Sequence, residues 1–155
     1  MDLLLGMGRA GSGDDAAGIV LARTFHAEGW ISVEVGTVPE NAGGWVRRNP
    51  GARVVLVDAI DVGCAPGTVR RVRPEALESA GFGTHAPEPA MLDGYLRLLG
   101  AREIVWIGIQ ARSLEQGRGL SAEVRKALRF VAETLAGGTE KIAALPWLEQ
   151  KSSFG

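Results

Sequence analysis

The segment "LLLGMGRAGSGDDAAG", residues 3–18, decides how the chain begins to fold. It opens with the apolar residues of a short strand, predicted over Asp2 to Met7, and continues into a turn rich in glycine. Beyond the turn, side chains from Ala17 to Phe25 repeat with the spacing of one helix face. This strand, turn and helix form the opening unit of an α/β domain.

The rest of the chain continues the alternation of strand-like and helix-like segments. The apolar run Ala52 to Val57 is typical of a central parallel strand, and Thr68 to Arg73, with three arginines, is typical of an antiparallel edge strand. Further strands are predicted over Ile31 to Val38 and Glu103 to Ile109, and helices over Pro39 to Arg48, Met91 to Leu99 and Ser121 to Leu135. The predicted fold class is therefore α/β: a single three-layer domain with a mostly parallel twisted sheet, helices on both faces and one antiparallel edge strand.

We predict an α/β domain over residues 1–138 and a C-terminal tail over 139–155 that is partly disordered. The 155 residues carry 17 basic and 18 acidic side chains, and the net charge of −1 argues against nucleic acid or a membrane as partner. The single cysteine, Cys64, excludes an internal disulfide, and no targeting or membrane-spanning segment is recognisable. These features predict a cytoplasmic protein.

The glycine turn allows two interpretations. Gly6, Gly8 and Gly11 have the spacing of a dinucleotide-binding turn, which predicts a nucleotide-binding module. The acidic residue that should bind the ribose is missing at its usual place, however, and Asp14 and Asp15 bring negative charge to the turn. The alternative is that the glycines only let the chain turn and that the aspartates cap a helix, which accounts well for one aspartate but not for two.

Three polar side chains follow strand segments at the edge of the sheet where ligands gather in parallel α/β folds. Asp15 follows the first strand by one loop, Asp58 follows the run VVLV directly, and His85 lies in the loop "GFGTHAPEP" before the third predicted helix. Two carboxylates and an imidazole suit Ni²⁺ or Zn²⁺ better than Ca²⁺, and three ligands leave positions open for a substrate. Each residue also has a simpler explanation: a helix cap, a turn residue and an exposed loop histidine.

Four segments, taken in order, resemble the hydrogenase maturation endopeptidases, which trim the large subunit of nickel–iron hydrogenases. They are the opening segment already quoted, "VVLVDAIDVGCAPGTVRRV", "THAPEP" and "VWIGIQARSLEQGRGLS". The stretch GTVPEN, residues 36–41, is similar to the branch that serves energy-converting or formate-linked hydrogenases. One departure is Arg9, where the family usually has asparagine.

The resemblance implies a compact five-stranded α/β domain that acts as a monomer. It also implies that Asp15, Asp58 and His85 are the catalytic and metal-contacting residues. The metal is nickel already inserted in the large-subunit precursor, and no nucleotide is expected. The enzyme would then cut off the C-terminal extension of the precursor after a basic residue. Two other functions stay open at this point: a non-catalytic nickel carrier, and the nucleotide-binding module that uses Gly6, Gly8 and Gly11.

Overall fold

The structure is a computed structural model and describes residues 1–38, 40–79 and 88–149. The strands are β1 (Asp2–Met7), β2 (Trp30–Gly36), β3 (Arg53–Ile60), β4 (Val69–Arg71) and β5 (Glu103–Gln110). The helices are α1 (Ala17–Thr24), α2 (Glu40–Arg48), α3 (Pro74–Ser79), α4 (Pro89–Leu98), α5 (Ala122–Ala136) and α6 (Thr139–Ala143), and a 3₁₀ turn over Gly13–Ala16 precedes α1.

The five strands form one sheet in the order β2-β1-β3-β5-β4. The β1–β2, β1–β3 and β3–β5 pairs are parallel, while β4 pairs antiparallel with β5 at one edge. The arginine-rich strand therefore lies at the sheet edge, where its long side chains reach water. The predicted fold class is confirmed.

Two apolar layers cover the sheet, because the central strands are apolar on both faces. On β3, Val55 and Val57 pack with α1 and α5, whereas Val54 and Leu56 pack with α2 and α4. All four valine and leucine side chains are buried. Removal of this apolar surface from water is the main force that stabilises a layered α/β domain.

The structure adds detail that the periodicity did not predict. The short helix α3 was not predicted. The apolar residues of α4 are only partly covered: Leu92 and Leu96 are buried, whereas Met91 and Tyr95 are 65% and 44% exposed. This helix buries a narrower face than its apolar pattern indicates. Among the described residues, no helix is both long and apolar enough to cross a membrane.

Residues 139–149, the first part of the predicted tail, pack against the domain. Ile142 and Leu145 are buried in the same layer as α5, and Thr139 accepts a 3.0 Å hydrogen bond from Arg53. Trp147 lies beside β4, where the guanidinium groups of Arg71 and Arg73 stack on its ring at 4.1 and 4.7 Å. Residues 150–155 lie outside the described residues.

Candidate functional site

The glycine turn after β1 is shaped by close packing of protein backbone. A Cβ atom at Gly6 would lie 2.1 Å from the carbonyl oxygen of Gly18, and one at Gly8 would lie 2.0 Å from that of Asp15. Gly8 has a φ of +123°, which a residue with a side chain rarely adopts. Gly11, by contrast, has no atom within 4 Å of its Cβ position. Two of the three glycines thus bring the chain against its own backbone, and the turn presents aspartates at its end.

Asp14 holds this turn to the segment that follows β5. Its side chain is 1% exposed and accepts hydrogen bonds from the backbone N–H groups of Arg112 (2.8 Å), Ser113 (3.1 Å) and Ser121 (2.7 Å). The Ser121 hydroxyl donates a fourth, at 2.9 Å. Burial alone would raise the pKa of Asp14, but these four donors lower it below its ordinary value. Asp14 is therefore an ionised structural anchor.

Asp58 lies in β3, one position beyond the last residue of β3 that pairs with β1. The last β1–β3 pair is Gly6–Val57, one position before Asp58, yet β3 runs on to Ile60 because its other neighbour, β5, still pairs with it. The strand was expected to end at Val57, and this expectation was wrong by three residues. The carboxylate of Asp58 consequently stands beside the glycine turn, and its Oδ1 atom lies 3.5 Å from the Cβ position of Gly8.

Asp15 approaches the same point from the turn. Its carbonyl oxygen lies 2.0 Å from the Cβ position of Gly8 and accepts a 3.2 Å hydrogen bond from the backbone N–H of Arg9. Burial raises the pKa of Asp15, and the N–H and guanidinium of Arg9 offset part of this shift. The arginine that departs from the family pattern thus lies next to a predicted site residue.

The two carboxylates influence each other. Burial raises the pKa of Asp58 well above its ordinary value, the nearby charge of Asp15 raises it further, and only the backbone N–H of Ala59, at 2.7 Å from Oδ1, opposes the rise. A pair of carboxylates held close with few donors is typical of a site that binds a cation or a proton. In the structure the charge of Asp15 thus acts on Asp58, while the role of both as site residues stays a prediction.

His85 lies outside the described residues, and its prediction stays untested. Within the described ranges there is no group of three or more histidine, cysteine, aspartate or glutamate residues that could hold a metal ion. Helix α4, which begins three positions after His85 with its N-cap Glu88, runs from the carboxyl edge of the sheet to the amino edge. Gly100, just after α4, accepts a 2.8 Å hydrogen bond from Gly51, just before β3, so α4 ends at the amino edge of the sheet. Its first residue, Pro89, therefore lies towards the carboxyl edge, where Asp58 stands.

A cleft of about 590 Å³ lies beside Asp14, the neighbour of Asp15 in the sequence. It is lined by Asp14, by Arg112 and Ser113 after β5, and by residues 118–123 at the start of α5. The sequence predicts Ser121 as the start of a helix near the end of the last strand, but it does not predict the contact of Ser121 with Asp14. Its contact with Asp14 joins residues 107 positions apart, and no local sequence pattern reports such a contact.

The sequence of this chain is similar to those of known proteases. The hydrogenase maturation protease family model matches residues 19–137, a range that includes Asp58 and His85 and begins just after Asp15. The chain is 30% identical over 141 residues to the hydrogenase 3 maturation protease of Escherichia coli, covering 88% of this chain and 89% of that protein.

Solved structures of such proteases share the fold. The solution structure of the endopeptidase HycI from Escherichia coli has a TM-score of 0.82 at 25% identity, and the alignment covers 99% of this chain and 100% of that one. A crystal structure of a hydrogenase 3 maturation protease gives 0.84 at 26% identity, with 97% of each chain covered. The NiFe hydrogenase maturation protease HycI from Thermococcus kodakarensis gives 0.74 at 25% identity, with 91% of each covered. The resemblance seen in four sequence segments is confirmed, and the chain belongs to the hydrogenase maturation protease family.

Proposed function

We propose that this chain is an endopeptidase that recognises nickel in the large-subunit precursor of a NiFe hydrogenase and removes the C-terminal extension of that precursor. Asp15, Asp58 and His85 contact the nickel ion, which belongs to the substrate. The observation that carries this assignment is the meeting of the Asp15 and Asp58 carboxylates at the glycine turn, where burial raises the pKa of both.

A divalent cation would relieve the electrostatic cost of this pair. Two half-buried carboxylates repel each other, and a cation placed between them favours the ionised form of both. Binding of nickel would therefore oppose the rise in the pKa of Asp58 that burial and Asp15 cause. The site is thus suited to a metal that arrives with the substrate, because the empty pair can be neutralised by a proton.

The course of α4 supports His85 as the third contact. His85 stands three positions before Glu88 in the sequence, and α4 begins towards the same sheet edge that carries Asp58. An imidazole together with two carboxylates is a ligand set that suits Ni²⁺. Three ligands from this chain would leave the remaining positions to the groups that already hold nickel in the precursor.

Hydrolysis needs a polarised carbonyl or an activated water next to the metal. Water adds to the scissile carbonyl carbon, the C–N bond breaks, and the leaving amine takes up a proton. The cleft beside Asp14 offers room for an extended peptide. Asp14 itself is unsuited to be the base, because four hydrogen bonds lower its pKa. A monomeric state and a cytoplasmic location stay predictions.

The two other functions predict different behaviour. The nucleotide-binding hypothesis is less well supported, because Gly6 and Gly8 are packed against protein backbone and carboxylates stand where phosphate would bind. It predicts a rise in Tm when NAD is added, as any ligand of the native state produces. A nickel carrier would bind free Ni²⁺ tightly and one to one without cutting the precursor.

The test uses the purified chain with nickel-loaded and nickel-free precursor, followed by mass spectrometry. We expect cleavage of the loaded form only, and a loss of roughly a hundredfold or more in rate for Asp15→Asn, Asp58→Asn and His85→Ala. His26→Ala, at an exposed histidine in the segment after α1, is the matched control. Cleavage at the native rate by all three site variants would refute the assignment.

A further inference from the structure

Gln110, the last residue of β5, is 3% exposed, and three of the four hydrogen bonds of its side-chain amide reach one loop. Its Oε1 atom accepts hydrogen bonds from the backbone N–H groups of Val62 (2.9 Å) and Cys64 (3.3 Å). Its Nε2 atom donates to Oδ1 of Asp61 (3.2 Å) and to the carbonyl oxygen of Ala111 (2.8 Å). All four hydrogen-bonding positions of the amide are thus filled.

The backbone of Gln110 holds the other end of the same loop. Its N–H donates to the carbonyl oxygen of Thr68 at 2.9 Å, and its carbonyl oxygen accepts from the N–H of Gly67 at 2.9 Å. We call residues 61–68 the β3–β4 loop. One residue of β5 therefore fixes both the start and the end of this loop.

The β3–β4 loop begins directly after β3, at the sheet edge that carries Asp58, and is largely exposed. It begins three positions after Asp58, and Asp61, Gly63 and Pro66 are exposed to solvent. Surface loops are ordinarily mobile, and a buried polar side chain is costly unless its hydrogen bonds are made. A fully bonded buried amide that orders an exposed loop next to a site is typical of a binding surface prepared in advance, because less freedom is lost when a partner docks.

We propose that Gln110 is a positioning residue that holds the β3–β4 loop as a rigid docking rim for the hydrogenase large-subunit precursor. The inference rests on the proposed function for the identity of the partner. Gln110 touches no reacting group in this proposal. It acts through the loop, so its loss changes the KM for the precursor much more than kcat.

The test first replaces the Gln110 amide, which donates to Asp61, with a carboxylate that cannot donate. It then supplies a donor at position 61. Gln110→Glu keeps an oxygen for Val62 and Cys64 but sets a carboxylate against Asp61, where the native amide donates. Adding Asp61→Asn restores this contact in reverse, with the asparagine amide donating to the new glutamate, while the carbonyl oxygen of Ala111 stays without its donor. Gln116→Glu makes the same chemical change at an exposed position and is the matched control. Gln110→Met replaces Gln110→Glu in every assay if the latter does not fold.

The first measurement is the rate at which a thiol reagent labels Cys64, the only cysteine in the chain and a member of the loop. It needs no substrate, so it is independent of the proposed function. We expect Gln110→Glu to raise this rate by about tenfold through local opening, and the double variant to return it part of the way to the native rate, because the contact with Asp61 is replaced but the one with Ala111 is not. A folded Gln110→Glu protein that is labelled at the native rate overturns the proposal.

The second measurement is steady-state cleavage of the nickel-loaded precursor. We expect Gln110→Glu to raise KM by about tenfold while kcat changes by less than about threefold, and the double variant to recover part of the loss. An unchanged KM, or a KM that the double variant does not lower again, overturns the docking role. If the native chain does not cut the precursor at all, the proposed function fails, and the labelling rate still decides whether Gln110 orders the loop.

Discussion

Gly8 and Gly11 show that two glycines of one motif can serve different purposes. Both have positive φ, +123° and +80°, but only the Cβ position of Gly8 is blocked by another atom within 3 Å. The motif spacing therefore reflects close packing at one position and a turn at the other. A side chain at Gly8 would push the backbone of Asp15 outward and change the distance between Asp15 and Asp58.

We predict that Gly8→Ala lowers the free energy of unfolding by more than about 2 kcal/mol, because the new methyl group would lie 2.0 Å from a backbone oxygen. Gly11→Ala should lose about 1 kcal/mol, since it adds only the cost of a left-handed backbone. Urea denaturation measures both. Equal losses for the two variants would show that the contact with Asp15 does not shape the turn.

Adjacent aspartates have opposite pKa shifts because their hydrogen-bond donors differ. Asp14 and Asp15 are both partly or wholly removed from water, but Asp14 has four donors, which lower its pKa, whereas burial raises the pKa of Asp15. Asp14 therefore stabilises the fold in its ionised form. Asp15 and Asp58 have few donors, so their ionised forms lower the stability of the fold.

The pH dependence of stability should reveal this cost. The pKa of Asp58 is raised in the folded state, so the unfolded chain gives up this proton first, from about pH 3.9 upwards. Stability is then lost as the pH rises towards the folded pKa. We predict that Asp58→Asn, which keeps the oxygen bonded to Ala59, has a higher Tm than the native chain at pH 7 and that the difference shrinks towards pH 4. A Tm for Asp58→Asn below that of the native chain at pH 7 would show that the ionised carboxylate of Asp58 does not destabilise the fold.

At the scale of elements, Ser121 links the first turn of α5 to the glycine turn. Its hydroxyl oxygen accepts a 3.3 Å hydrogen bond from the N–H of Val124, as a helix N-cap does, and the same hydroxyl donates to Asp14. A single side chain thus caps α5 and anchors the turn after β1. The position of Asp15 depends on the position of this helix.

We predict that Ser121→Ala lowers the free energy of unfolding by about 2–3 kcal/mol, more than the loss of a cap alone, because a buried carboxylate also loses a donor. Ser113→Ala is the matched control: it removes one side-chain acceptor, for Glu115, and keeps the backbone N–H that reaches Asp14. It should lose less than about 1 kcal/mol. Thermal or urea unfolding compares them, and equal effects would contradict the double role of Ser121.

At the scale of the whole molecule, the segment after α5 contributes to the core. Ile142 and Leu145 are 2% and 4% exposed, and each contributes roughly 1.5–3 kcal/mol by burial. We predict that truncation after Gly138 lowers Tm sharply or prevents folding, since a domain is stable by only about 5–15 kcal/mol. Truncation after Glu149 keeps all these contacts and is the control. A native-like melt for the shorter chain would show that the packing of residues 139–149 is dispensable.

Much of the fold could be predicted from sequence because its signals are local. The apolar run that contains Val55 and Val57 indicates a strand covered on both faces, and three arginines in Thr68 to Arg73 indicate an edge strand. Strand β3 nevertheless runs to Ile60 because it pairs with β5, a partner distant in sequence. Met91 and Tyr95 of α4 are likewise exposed because the sheet contacts only one side of that helix.

Residue types and their spacing alone were sufficient for the α/β class, for the place of Asp15 in the turn after the first strand and for the membership in the protease family. Three features required the folded structure: Asp14 as an anchor, the packing of Gly8 on Asp15, and the hydrogen bonds from Gln110 to the β3–β4 loop. The physical reason is that hydrogen bonds and close contacts between distant segments depend on the packing of the whole domain. Such contacts leave no periodic signal along the chain.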